Sequence, residues 1–238
     1  MCDGRDMKAR RKTDMGRIVS TTLSMLLAAL PASAVARPLA SPTAERRAFA
    51  EKILASTTAE WSSYYASRGR IYKAPRSVFM QLPNGHPARG FGYLRKLGVN
   101  VELSDMIGLK AALPASADML TALIIAHEVA HHVQRETEEA GKIHRPASMD
   151  RELEADCAAG WWLAKANARN LITTGKPFLV AQDLAVELPR ALNLLSGARE
   201  GVPERGIETH GRVRNRVSAI QAGMRSPMVE DCGAGFQF

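Results

Sequence analysis

Two histidines stand four residues apart in the run LIIAHEVAHHVQ, Leu123 to Gln134, and a glutamate follows the first directly. An α-helix turns about 100° per residue, so the imidazoles of His127 and His131 leave one face a turn apart. At that separation two ring nitrogens can reach one zinc ion at about 2.0–2.1 Å. Glu128 sits about 100° round from His127, close enough to touch a metal-bound water and poorly aimed to be a ligand. The order His-Glu-x-x-His therefore assigns two ligands and one general base.

A catalytic zinc takes three protein ligands and leaves a fourth position for water. About twenty residues beyond His131 comes DRELEADCAAGWW, Asp150 to Trp162. Glu152 and Asp156 are four apart and share a helix face, whereas Glu154 points about 200° away from Glu152. Glu152 can complete a set of two histidines and one carboxylate. Asp156, one turn later, can accept the spare ring N–H of a ligand histidine and fix its tautomer. His144, in the intervening loop, is a rival third ligand. Alone, the carboxylates would read as a solvated helix face and the histidines as satisfied core groups. The two motifs together favour a metal. His132 lies about 100° from His131 and is expected to meet the surroundings of the site or solvent rather than zinc. Trp161 and Trp162 are expected in the core.

Both motifs need helices to carry them. Apolar spacing predicts one helix from about Asp118 to Glu138 and another from Asp150 to Asn167, with a loop long enough for the second to return beside the first. Upstream, Phe49, Ile53, Leu54, Trp61 and Tyr65 recur at helical spacing until Gly69 ends the run. Residues 70–107 change character. Short β-prone runs broken by Gly, Pro and Asn suggest two or three strands, the last being VNVEL, Val99 to Leu103. Two further helices are expected, from Pro177 to Ser196 and from Thr209 to Met224. The fold class that follows is α+β, a mostly helical domain with a small β-sheet.

The chain of 238 residues has room for one good core, and its 46% hydrophobic and 24% charged residues are those of a folded protein. Its first residues do not read as fold. Arg10, Arg11, Lys12 and Arg17 precede an apolar run from Ile18 to Leu30, and small residues follow at Ala34 and Ala36. That run would span roughly 20 Å as a helix, short of a hydrocarbon core of about 30 Å. A cleaved export signal over residues 1–36 is therefore expected, leaving residues 37–238 as a periplasmic or secreted domain with no transmembrane span. The formal charge of +8 falls to about +5 without the signal. No Lys/Arg stripe interleaved with aromatics appears, so nucleic acid is not an expected partner. Cys2 would leave with the signal, and only Cys157 and Cys232 would remain. In an oxidising compartment they can pair, closing a loop of about 75 residues worth ~4 kcal/mol, or stay as two buried thiols. Nothing in the sequence signals an oligomeric state.

With both motifs placed, the chain resembles gluzincin-type zinc metallopeptidases, and among them the bacterial family called putative neutral zinc metallopeptidases. The resemblance rests on IAHEVAHHVQ, on ELEADCAAGWW, and on ETHGRVRNRVSAIQAGM, Glu208 to Met224. The last is also similar to a segment of prenyl-endopeptidase-like metallopeptidases. The resemblance implies a zincin-like domain in which His127, His131 and Glu152 hold Zn2+, Glu128 is the catalytic base and Asp156 orients a histidine. It implies too that His210, and with it Arg216, approaches the site to stabilise an oxyanion; the alternative for His210 is a surface residue at a helix start. It also favours a Cys157–Cys232 bridge. The chain departs from the family at Ala130, where glycine is usual, and at Leu94, where a cysteine is common.

The expected function is that of a zinc-dependent endopeptidase acting on a peptide or protein substrate. Two alternatives remain at this level: a catalytically silent zinc-containing protein with a binding or structural role, and a zinc amidase acting on cell-wall material.

Overall fold

A computed structural model describes residues 41–80, 90–141, 148–172, 181–195 and 212–237. Leu39–Phe238 forms one compact unit. The expected export signal, residues 1–36, lies outside the described residues, as does Cys2.

Helix α1 (Pro42–Ser67) begins where the Ser41 hydroxyl accepts a hydrogen bond from the Ala44 amide and a proline fills the first helical position. It stops at Gly69, whose φ of +67° a residue with a Cβ would resist. Its buried stripe contains Ala50, Ile53, Leu54, Trp61 and Tyr65. Three strands follow: β1 (Ser77–Met80), β2 (Gly92–Leu94) and β3 (Gly98–Glu102). Their order is β1-β3-β2, with β3 parallel to β1 and antiparallel to β2. The central strand is buried along its whole length.

The strand read as Val99 to Leu103 ends one residue early, because Leu103 opens a helix the sequence reading does not contain, α2 (Leu103–Ala112). Its signal is local. The Glu102 carboxylate accepts from the Ser104 amide at 3.0 Å, and Leu103, Met106 and Leu109 are buried at helical spacing. A short apolar stretch directly after a strand reads equally well as more strand.

Helices α3 (Ala117–Gly141) and α4 (Met149–Ala168) carry the two motifs, close to their expected limits. The Ser148 hydroxyl caps α4 by accepting from the Arg151 amide. Helices α5 (Ala181–Leu195) and α6 (Val213–Arg225) fall where the third and fourth downstream helices are expected; residues 177–180, 196 and 209–211 lie outside the described residues. α3 is central: α1, α2, α4, α5, β2 and β3 all pack against it. The class is α+β, mostly helical with a small sheet. Among the described residues no helix is long and apolar enough to cross a membrane.

Two glycines decide how α6 meets α4. A Cβ at Gly160 would lie 2.1 Å from the Ile220 carbonyl oxygen, and one at Gly223 would lie 1.8 Å from that of Cys157. The two backbones touch where any side chain would hold them apart. Cys157 is also joined to Cys232 by a disulfide with an S–S distance of 2.08 Å, tying α4 to a short 3-10 turn, Val229–Cys232. A second turn, Ala234–Phe236, places Phe236 on Trp61 with ring centroids 5.7 Å apart. Trp161 and Trp162 are buried in the core, as expected.

Gly223→Ala forces a methyl into backbone atoms that no rotamer change can move. It should destabilise by about 1–3 kcal/mol or more, seen as a lower urea midpoint. A midpoint equal to wild type would show that the helices separate without cost.

Candidate metal centre

α3 and α4 bring His127, His131 and Glu152 to one point. Their ligand atoms all lie within 4.8 Å of one another. The two Nε2 atoms are 3.0 Å apart, and the Glu152 carboxylate oxygens stand 3.3 Å from that of His127 and 3.4 Å from that of His131. A tetrahedral zinc with ligands at about 2.0–2.1 Å keeps its ligand atoms about 3.3–3.4 Å apart, so each of these separations is close to one edge of such a tetrahedron. Two imidazoles and a carboxylate are donors that suit zinc. Among the described residues no other group of three His, Cys, Asp or Glu side chains converges this way. His144, the rival third ligand, lies outside the described residues.

Each histidine is held from behind. His127 Nδ1 is 2.8 Å from Asp156 Oδ1, and His131 Nδ1 is 2.9 Å from Gln134 Oε1. A carboxylate can only accept, so His127 carries a proton on Nδ1 and turns its Nε2 toward Glu152. Asp156 is itself clamped, because Arg216 of α6 donates from Nε to Oδ2 and from Nη2 to Oδ1, both at 2.8 Å. This two-pronged pair is among the strongest geometries a carboxylate can have.

The charges follow from that geometry. Burial would raise the Asp156 carboxyl, yet His127 and Arg216 overcome it and hold the group below the ordinary carboxylate range. Burial likewise opposes charge on His127, but Asp156 and then Glu152 and Glu128 raise it to about 10 in the metal-free protein. Burial opposes charge on Arg216 also, and Asp156 more than compensates, raising its pKa. A site that gathers a proton so readily is a site of negative potential, which a dication would exploit further.

Glu128 is buried on α3 beside His127, and its charge is felt by both His127 and Arg216. His132 stays outside the metal triangle, as expected, but it is buried, 2.6 Å from the Lys73 carbonyl oxygen and 3.3 Å from the Tyr93 hydroxyl. Turned about 100° from His131, it faces the sheet side of α3, where it fastens the segment after α1 and strand β2 to the motif helix. Arg216 departs from the oxyanion role that the family resemblance implies, since its Nε and Nη2 are directed at Asp156. His210 lies outside the described residues. Gln134 and Glu154 are the neighbours that sequence reasoning missed. The helical wheel turns Glu154 away from Glu152, and Gln134 reaches across from α3 to meet it at 3.1 Å.

The comparisons with known proteins agree with this chemistry. A family model described as "Putative neutral zinc metallopeptidase" matches residues 13–235, and the chain belongs to that family. The chain is similar to the "Uncharacterized protein YpfJ" of Escherichia coli strain K12, 27% identical over 220 residues that cover 81% of this chain and 72% of that protein. The protein of the same description from Escherichia coli O6:H1 matches to the same extent. No solved structure matches the chain.

Partners of this kind behind a metal ligand are usually worth 10- to 100-fold in metal affinity. Asp156→Asn should therefore weaken zinc binding by about that factor, read by competition with a chromophoric chelator on protein shown to be folded by circular dichroism. An unchanged Kd would remove Asp156 from the centre.

Proposed function

We propose that this member of the putative neutral zinc metallopeptidase family is an exported zinc-dependent endopeptidase, periplasmic or secreted, that cleaves peptide bonds in peptide or protein substrates. The observation that carries the reading is the triangle of His127, His131 and Glu152 with Glu128 one residue from the first histidine. The three residues would hold Zn2+. When bound, zinc supplies Lewis-acid polarisation and lowers the pKa of its water toward about 7.

The chain's own residues do the rest. Glu128, buried next to His127 on α3, takes the proton of the attacking water and later delivers it to the leaving amine. Asp156 keeps His127 in the tautomer that offers Nε2, and Arg216 keeps Asp156 ionised and aimed. His210 is assigned to hold the developing oxyanion, on the resemblance of its segment to the family's. An intact base favours an enzyme over a silent metal-holding scaffold, which has no use for Glu128. The formal charge of +8 is compatible with export and adds no evidence for a nucleic-acid partner.

Glu128→Gln should bind zinc as wild type does and lose at least about 100-fold in cleavage of unfolded casein, since general-base catalysis is worth about 10²–10⁴-fold. A metal chelator should abolish the wild-type cleavage and added zinc should restore it. Proteolysis that survives both treatments would sink the peptidase assignment.

A further inference from the structure

We propose that Gln134 is the positioning residue for His131, fixing the ring so that an electron pair on Nε2, and not an N–H, faces His127 and Glu152. The inference rests on the reading of those three residues as the metal ligands. Gln134 lies three residues beyond His131 on α3 and is 0% exposed. A fully buried amide must find partners for two N–H groups and one oxygen. Its nitrogen has two acceptors in reach, the Arg151 carbonyl oxygen at 2.9 Å and Glu154 Oε2 at 3.1 Å. Neither can donate, so an amide turned the other way would set its oxygen against two more oxygens. The NH2 therefore belongs on that side, and Oε1 faces His131 Nδ1 at 2.9 Å.

From there the proton is determined. An amide oxygen only accepts, so His131 must carry its hydrogen on Nδ1, which leaves Nε2 bare. The tautomer is dictated by two acceptors on α4, and a reversed amide is excluded by the same two atoms. Those acceptors bracket Glu152 in sequence. One hydrogen-bonded bridge thus sets the rotation of His131 relative to the carboxylate that joins it in the triangle. The C-terminal turn confines the far end of the bridge: a Cβ at Gly233 would come 2.6 Å from Glu154 Oε1, so Glu154 is packed against the segment that the disulfide holds. A carboxylate at position 134 would still accept from His131 but would face Glu154 as a like charge.

The test uses the purified chain labelled with ¹⁵N-histidine, as wild type, Gln134→Met and Gln134→Glu. Long-range ¹H–¹⁵N spectra of the metal-free proteins read the His131 tautomer, and chelator competition reads zinc affinity. Wild type should show His131 protonated on Nδ1. Gln134→Met should lose that preference and bind zinc 10- to 100-fold more weakly, whereas Gln134→Glu should keep the Nδ1–H tautomer despite a lower unfolding midpoint. A role in packing alone would leave the tautomer in Gln134→Met unchanged. That result, or a wild-type His131 protonated on Nε2, overturns the proposal. Should Gln134→Met fail to fold, the wild-type and Gln134→Glu spectra decide. Wild-type protein that takes up no zinc would sink the ligand assignment instead, and the metal-free spectra would still read the role of Gln134.

Discussion

Two imidazole nitrogens 3.0 Å apart, each with a carboxylate oxygen of Glu152 at 3.3–3.4 Å, do not rest so by preference. His127, His131 and Glu152 repel unless a cation, metal or proton, lies among them, and the surrounding fold is organised to keep them there. The central helix supplies the two imidazoles and a second helix the carboxylate. Each imidazole is then backed by a group that can only accept at the point of contact, a carboxylate for His127 and an amide oxygen for His131. The difference between those two backings matters for charge. Asp156 is cancelled by Arg216, and Gln134 carries none, so the negative charges nearest the triangle are those of Glu152 and Glu128. Two such charges balance one dication at a site that is buried at His127 and half-buried at His131 and Glu152.

Burial makes this arrangement demanding. Asp156 and Arg216 are almost wholly removed from solvent, and an unpaired charge in that setting costs several kcal/mol. The pair therefore contributes little to net stability while enforcing one mutual geometry. The same holds at Glu138, which is buried and takes Arg135 of α3 and Arg151 of α4, the residue before Glu152, as partners. The Glu138–Arg151 pair and the Gln134 bridge thus lie along the same α3–α4 contact that brings the triangle together. The disulfide adds a covalent tie at the residue after Asp156.

How much of this was legible in the sequence depended on distance along the chain. The motif helices could be read because apolar spacing repeats within each of them, and His127, His131, Glu152 and Asp156 could be named because one helix turn relates the members of each pair. The pairing of Asp156 with Arg216 joins residues 60 apart, and Gln134 meets Glu154 over a separation of 20. Such partners depend on which faces meet after folding, and no local period announces that. Glu154 illustrates the point: the helical wheel turns it from Glu152 and carries no sign of an amide arriving from α3. His132 is the reverse case, a residue inside the motif whose partners belong to the sheet. Helix α2 escaped notice for a smaller reason, since its start is marked by one carboxylate cap next to a strand.

Arg216 sits seven positions before Gly223 on α6, two turns from the place where that helix touches α4. A side-chain interface can absorb small errors by rotamer changes; main chain resting on main chain has no such slack. The contact at Gly160 and Gly223 thus acts as a mechanical stop, setting how far along α4 the guanidinium fork arrives. Registration of the candidate metal centre is inherited from a spot with no chemistry of its own.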